Sequence, residues 1–158
     1  MVKLDADGDF LWAWLEGSEG SDFFNDAAAI ADGGVVATGM SNGTWNGTAS
    51  IGDADFAAIK LDSDGDLIWR WQDGTSEPDE MEACVATADG NVVLAGYTQG
   101  TWEGVYDDGW NDAVAVKLNV DNGEIIWTYR VGSLRVRVCR QSGWLGCVVW
   151  HNLRIVRR

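Results

Sequence analysis

An internal repeat of 57 residues is the feature that most limits what this chain can fold into. Residues 3–59 align with residues 60–116 without a gap, and 24 of the 57 positions are identical. A third copy begins at Lys117 and carries one additional residue in its first turn. Because similar segments of a chain fold into similar units that stack on their neighbours, the sequence predicts a repeat architecture.

Each copy contains four short segments that are rich in β-branched, aromatic and small apolar residues and are bounded by turn residues. The predicted strands of the first copy are residues 10–14, 27–30, 35–38 and 56–59. Those of the second copy are residues 67–71, 84–87, 92–95 and 113–116. Asp-Gly pairs such as Asp32-Gly33 supply the positive φ of tight hairpin turns. The sequence therefore predicts an all-β meander of antiparallel strands.

Four strands per repeat are typical of the blades of a β-propeller. Two complete copies are fewer than the roughly four to eight blades that close a ring, so we expect antiparallel four-stranded blades of a partial, unclosed β-propeller. The predicted units are residues 1–59 as the first blade, 60–116 as the second, 117–133 as the start of a third, and 134–158 as a basic tail outside the repeat pattern.

Three segments of the chain carry a family resemblance: residues 60–69, Ala88 to Val92 with Gly96, and Asp112 with Lys117 and Leu118. These segments resemble the bacterial-type β-propeller repeats known as SBBP repeats. Residues 121–129 are also similar to the repeat of pyrroloquinoline-quinone propellers. The resemblance implies a propeller of several blades on a secreted or cell-surface protein, although residues 1–5 lack the apolar core of a signal peptide.

Open sheets leave unpaired strand edges, which tend to pair with other chains. As partners we therefore expect the remaining blades of a longer propeller, of which this chain is a fragment, or other copies of the chain. Residues 1–130 hold all 25 acidic residues and only five basic ones, whereas residues 131–158 hold six arginines and no acid. The acidic body should repel phosphate groups, so we expect no nucleic-acid partner. No apolar run reaches the roughly 18–20 residues of a membrane span.

Two acidic triplets surround the first turn of the first and second copies. They are Asp5, Asp7 and Asp9, and Asp62, Asp64 and Asp66. Calcium loops use acids at positions i, i+2 and i+4, but their glycine follows the third acid, whereas Gly8 and Gly65 precede it. The alternative is a hairpin turn with solvated carboxylates. We therefore expect no cofactor other than weakly bound Ca²⁺.

Trp45 and Trp102 lie in matching Gly-Thr-Trp-x-Gly loops. An exposed indole on such a loop can stack on the apolar face of a sugar, which predicts a lectin-like module with one glycan site per blade. The alternative is that each tryptophan folds back and covers its blade.

The sequence contains no recognisable catalytic arrangement. His151 is the only histidine, and the spacing of the acidic residues singles out no pair for glycoside hydrolysis. We therefore predict that the chain is not an enzyme and serves as a non-catalytic scaffold or interaction surface. One alternative is the carbohydrate-binding module. The other is a quinoprotein-type oxidoreductase, which only the resemblance implies and for which no cofactor-binding positions match.

Overall fold

The structure is a computed structural model that describes residues 1–45, 49–102 and 111–131 and the backbone of two later strands. Its regular elements are all β-strands. They are β1 (Val2–Leu4), β2 (Phe10–Ala13), β3 (Asp22–Ala29), β4 (Val35–Ser41), β5 (Asp55–Leu61), β6 (Leu67–Asp73), β7 (Asp79–Ala86), β8 (Val92–Thr98), β9 (Asp112–Leu118), β10 (Ile125–Val131), β11 (Arg135–Cys139) and β12 (Cys147–His151).

Eight of these strands form two antiparallel four-stranded sheets. The first sheet has the order β3-β4-β5-β6, and the second has the order β7-β8-β9-β10. Both are simple meanders, and neither closes on itself. The predicted all-β architecture of antiparallel four-stranded sheets is therefore confirmed. Within the residues described above, no helix is long and apolar enough to cross a lipid bilayer.

The sheets are offset by one strand from the copies of the repeat. The first sheet takes β3, β4 and β5 from the first copy and β6 from the second. The connections before and after β6 are both five residues long, but they are bonded differently. The turn between β5 and β6 at Asp64-Gly65 is closed by its own backbone hydrogen bonds, whereas at the end of the link of residues 74–78 the amide of Asp79 donates to the carbonyl of Ala54, which precedes β5 of the first sheet. The hydrogen-bonded turn keeps β5 and β6 in one sheet, and the chain passes to the next sheet at residues 74–78.

The two sheets pack face to face around one hydrophobic cluster. Phe56 and Ala58 of β5 belong to this cluster, and so do Val114 and Val116 of β9. The other face of β5, with Ile59 and its neighbours, packs against the β1–β2 hairpin. Every residue of β5 is consequently buried. Full burial of a large apolar side chain contributes about 1.5–3 kcal/mol, so these two faces supply much of the stability.

The inner strands of the two sheets are also joined by polar contacts. Asn25 Nδ2 donates to the carbonyl of Met81 at 3.0 Å, and the amide of Cys84 donates to Asp26 Oδ2 at 3.0 Å. Cys84 itself is fully buried between the sheets, as its predicted place in a strand suggested. These contacts hold β7 beside β3.

The basic tail contains a two-stranded antiparallel sheet of its own, in which β11 pairs with β12 and not with β10. The backbone of β11 lies beside β7, β8 and β9. In the same way, β7 lies beside β3, β4 and β5. The tail hairpin therefore holds the place that the inner two strands of a further sheet would take.

The contribution of the central cluster can be measured at Phe56. Phe56 is fully buried, stacks on Trp71 with ring centroids 6.2 Å apart, and meets Trp102 edge-on at 5.2 Å. We expect Phe56→Ala to lower the free energy of unfolding in urea by about 3–5 kcal/mol because it leaves a cavity. The matched control is Phe23→Ala in the same sheet, where the ring is exposed and the loss should stay below about 1 kcal/mol. Equal losses would contradict this description of the core.

Candidate functional site

The loop tryptophan of the first copy is buried. Only 3% of Trp45 is exposed, and its ring lies 5.9 Å from that of Phe24, which in turn lies 6.0 Å from that of Trp14. The guanidinium of Arg70 lies 5.9 Å from the centre of the Trp45 ring. Trp45 thus fills the space between the loop and the first sheet.

Trp102, the matching residue of the second copy, is 4% exposed and packs edge-on against Phe56. Both loop tryptophans are therefore buried. Trp45 packs beside Phe24 of its own sheet, whereas Phe56, the aromatic partner of Trp102, belongs to the first sheet. Neither ring offers an open face for a sugar in this conformation. Residues 46–48 and 103–110 of these loops lie outside the described part of the chain. Sugar binding at Trp45 and Trp102 stays a prediction.

The first aspartate of each acidic triplet shapes its own turn. Asp5 Oδ1 accepts hydrogen bonds from the amides of Asp7 and Asp9 at 2.9 and 2.8 Å. In the second copy, Asp62 Oδ1 accepts from the amides of Asp64 and Asp66, both at 2.9 Å. These contacts are those of an Asx turn, in which the carboxylate replaces a missing backbone acceptor.

Calcium needs six to eight oxygen ligands around one point. Among the described residues, no three Asp, Glu, His or Cys side chains converge as such a site requires. Weak calcium binding by the two triplets therefore stays a prediction. The geometry on hand is that of a hairpin turn with its leading carboxylate engaged.

A tryptophan–turn contact connects each unit to the next, and it recurs with the repeat. Trp12 Nε1 donates to the carbonyl of Ser63 at 2.9 Å. One repeat later, Trp69 Nε1 donates to the carbonyl of Val120 at 2.8 Å. In both cases donor and acceptor lie 51 residues apart. An outer strand of one layer is thus fastened to the outer turn of the following layer.

Glycine is required beneath each of these indoles. Gly65 has a φ of 91°, and a Cβ added to it would lie 2.7 Å from the Trp12 ring. Gly123 has a φ of 75°, and a Cβ there would lie 3.0 Å from the Trp69 ring. Positive φ and close approach both favour glycine, which explains its place in each turn. Sequence reasoning did not identify the turn as the partner of these tryptophans.

A lysine–aspartate pair recurs within each sheet. Lys60 Nζ lies 2.6 Å from Asp32 Oδ2, and Lys117 pairs in the same way with Asp89. The hydrogen bond from Lys60 holds the pKa of Asp32 below its ordinary value, and the one from Lys117 does the same for the pKa of Asp89. Lys3, the matching residue of β1, instead donates to the carbonyls of Gly33 and Ser63, both at 3.1 Å, and so fastens the β1–β2 hairpin to the first sheet.

Buried aspartates lie at the opposite ends of the strands. Asp55 and Asp79 are both fully buried. Desolvation raises the pKa of Asp79 to about 6, against hydrogen bonds from Thr98 and Thr75. Asp79 Oδ1 has no partner among the described residues. A Cβ on Gly74 would lie 2.6 Å from Asp79 Oδ2 and 3.1 Å from Asp55 Oδ1, so the two carboxylates border the same small space.

Sequence reasoning missed this pair, although a signal was present. Asp22 and Asp79 occupy matching positions of the two copies, and so do Asp55 and Asp112. The partners differ, because Asp55 Oδ2 accepts from Gln72 Nε2 at 2.8 Å, whereas Asp112 pairs with Arg130. An aspartate retained in a strand next to a Gly-Thr or Gly-Ser link would have indicated a buried carboxylate.

No protein-family model matches this chain, and no curated protein sequence is significantly similar to it. The functional argument therefore depends on the geometry described above.

The raised pKa of Asp79 predicts how stability depends on pH. The folded state binds the Asp79 proton more tightly than the unfolded chain, in which the pKa is about 3.9. This contribution to stability is full below about pH 4 and is lost as the pH rises to about 6. We expect Asp79→Asn to flatten urea stability between pH 4 and pH 6.

Asp89→Asn is the control of opposite sign. The lowered pKa of Asp89 stabilises the fold above about pH 4, and this contribution is lost as the pH falls further. The Asp89 variant should therefore alter the acid side of the profile and not the range from pH 4 to pH 6. An unchanged slope in the Asp79 variant would contradict the assignment.

The tryptophan–turn contact predicts a difference between two glycine substitutions. Gly65 and Gly90 have similar φ values of 91° and 83°, but a Cβ on Gly90 meets nothing within 4 Å. Both changes to alanine carry the same backbone strain, and only Gly65→Ala pushes the Trp12 ring away. We expect Gly65→Ala to lower the free energy of unfolding by about 1–3 kcal/mol more than Gly90→Ala. Equal losses would mean that the contact contributes nothing.

Proposed function

We propose that this chain is a non-catalytic repeat scaffold of the β-propeller type, and that its outer strands and turns form an interaction surface. The observation that carries the proposal is the tryptophan–turn contact, which recurs with the same donor and a glycine in two successive layers. Such recurrence is expected from a stack of equivalent units, each of which is stabilised by its neighbours.

The exposed apolar side chains support an interaction role. Val2 and Leu4 of β1 are exposed, whereas Ile59 and Leu61, which hold the same positions in β5, are fully buried. Residue type therefore does not explain their exposure, which follows from their position in the outermost described hairpin. Exposed apolar surface of this kind is typical of a binding surface.

The two alternatives have less support. A sugar stacks on an accessible ring face, so the burial of Trp45 and Trp102 favours the scaffold over the carbohydrate-binding module. Quinoprotein oxidoreductase activity depends on the resemblance alone. Glycan-array binding that is lost on Trp45→Ala and Trp102→Ala, or quinone-dependent reduction of a redox dye, would contradict the proposal.

The modular character of the chain can be tested by lengthening it. We would insert a further copy of residues 60–116 between Val116 and Lys117. A stack of equivalent units should accept one more sheet, so the urea m value and the free energy of unfolding should both rise.

The control insertion carries alanine in place of the tryptophan that matches Trp69 in the new copy. It loses one tryptophan–turn contact and should give a smaller gain in stability. If the m value does not rise with the unaltered insertion, the inserted copy is not folded as a unit, and the scaffold proposal is wrong.

A further inference from the structure

We propose that copies of this chain bind each other head to tail, with Trp127 of one copy docking on the Asp5–Asp9 turn of the next. This inference rests on the proposed repeat scaffold and names its partner, which is a second copy of this chain.

Trp127 is equivalent to the two tryptophans that already make the contact. Trp12 pairs across its sheet with Lys3, Trp69 with Lys60, and Trp127 with Lys117. Trp69 is only 7% exposed because its ring lies on the turn of the second sheet. Trp127 is 41% exposed. The equivalent rings of Trp12 and Trp69 lie on a turn, so an exposed ring at the third position is a strong candidate for a contact residue.

The complementary turn lies at the other end of the stack. Asp5 makes the same two backbone hydrogen bonds as Asp62, and Gly8 has a φ of 89° where Gly65 has 91°. The turn before β2 therefore has the same backbone shape as the turn between β5 and β6, on which the Trp12 ring lies. A Cβ on Gly8 would meet nothing within 4 Å, so the place above it is open. By the repeat, the carbonyl of Ala6 corresponds to that of Ser63 and is the expected acceptor for Trp127 Nε1.

A groove beside this hairpin shows where the rest of the second copy would lie. It has a volume of about 640 Å³ and is lined by Met1, Phe24, Ala27 and Ala37, among others. The residues of the second sheet that match the last three are Met81, Cys84 and Leu94, and the first sheet covers all of them completely. The groove therefore has the position, relative to the first sheet, that the first sheet has relative to the second, and a further sheet would fit there.

The two terminal hairpins, β1–β2 and β11–β12, can together form the further sheet that would fill this groove. The β1–β2 hairpin corresponds to the outer strands β5 and β6, and the β11–β12 hairpin holds the place of the inner strands β7 and β8. Within one chain the first and second sheets separate the two hairpins. Between two chains, β11–β12 of one copy and β1–β2 of the next form one four-stranded sheet.

The charges of the two ends are complementary. The turn of the β1–β2 hairpin carries Asp5, Asp7 and Asp9, whereas residues 131–158 carry six arginines and no acid. Opposite charges on the two sides of a contact speed encounter and fix its orientation, and salt weakens them. The contact is heterologous, because each copy provides one ring and one turn, so copies join in a single direction.

The experiment is sedimentation velocity of the full chain over a concentration series. We expect the mean mass of the unaltered chain to rise with concentration and to rise less at high salt. Trp127→Ala and Gly8→Asn should each weaken association by more than about tenfold. Gly8→Asn keeps the monomer folded because asparagine tolerates positive φ and the space around Gly8 is open, yet its side chain blocks an incoming ring.

Gly90→Asn is the matched control, because Gly90 also has a positive φ and open surroundings but lies in the β7–β8 turn and not in the Asp5–Asp9 turn. It should associate like the unaltered chain. Mixing the Trp127 and Gly8 variants should restore a dimer, since the first keeps its turn and the second keeps its ring.

Three outcomes would overturn the inference: a monomer at every concentration, loss of association with Trp127→Ala but not with Gly8→Asn, or no dimer on mixing. None of these would affect the insertion experiment, which tests the repeat scaffold within a single chain. Failure of the insertion together with the expected mixing result would instead count against the scaffold alone.

Discussion

The packing of an indole on a glycine turn is the interaction on which this stack of sheets depends. Burial of apolar faces is favourable but not directional, so by itself it does not fix how one sheet is placed on the next. The Trp12 and Trp69 N–H groups each reach one carbonyl, and each ring reaches one glycine. The indole ring therefore contributes buried apolar surface, and its single N–H group fixes where one sheet lies on the next. This explains why the strand tryptophan and the turn glycine occur together in every copy.

The loop tryptophans have a different role, since they add volume to the core. Trp45 and Trp14 each bury an indole N–H that has no acceptor among the described residues, and an unsatisfied buried donor costs about 1–3 kcal/mol. Their aromatic contacts with Phe24 offset this cost. Phe24 keeps the ring of Trp45 away from solvent, and Phe56 of the first sheet does the same for the ring of Trp102.

Much of the fold could be predicted because its signals are local. Asp-Gly turns and apolar segments mark the strands, and the repeat shows which positions are equivalent. The offset of the sheets was not predictable from equivalence alone, because the connections before and after β6 are equally long and only the first joins neighbouring strands of one sheet. The burial of Trp45 depends on Phe24 and Arg70, which are distant in sequence. The spacing of Asp5, Asp7 and Asp9 suits both a calcium loop and an Asx turn, and only the direction of the amides distinguishes them. The pKa of Asp79 likewise follows from burial, which the residue type does not reveal.

The offset between copies and sheets has a consequence for how the molecule comes apart. The hairpin of β5 and β6 bridges the boundary at residues 59 and 60, and its ladder of backbone hydrogen bonds runs the length of both strands. One copy of the repeat therefore cannot unfold unless β5 and β6 separate along their paired length. The unit of cooperative unfolding is consequently the sheet and not the copy. Linear repeat proteins whose units end at loops can unfold one repeat at a time. Here each sheet contains strands of two copies, so the loss of one strand also destabilises the adjoining copy.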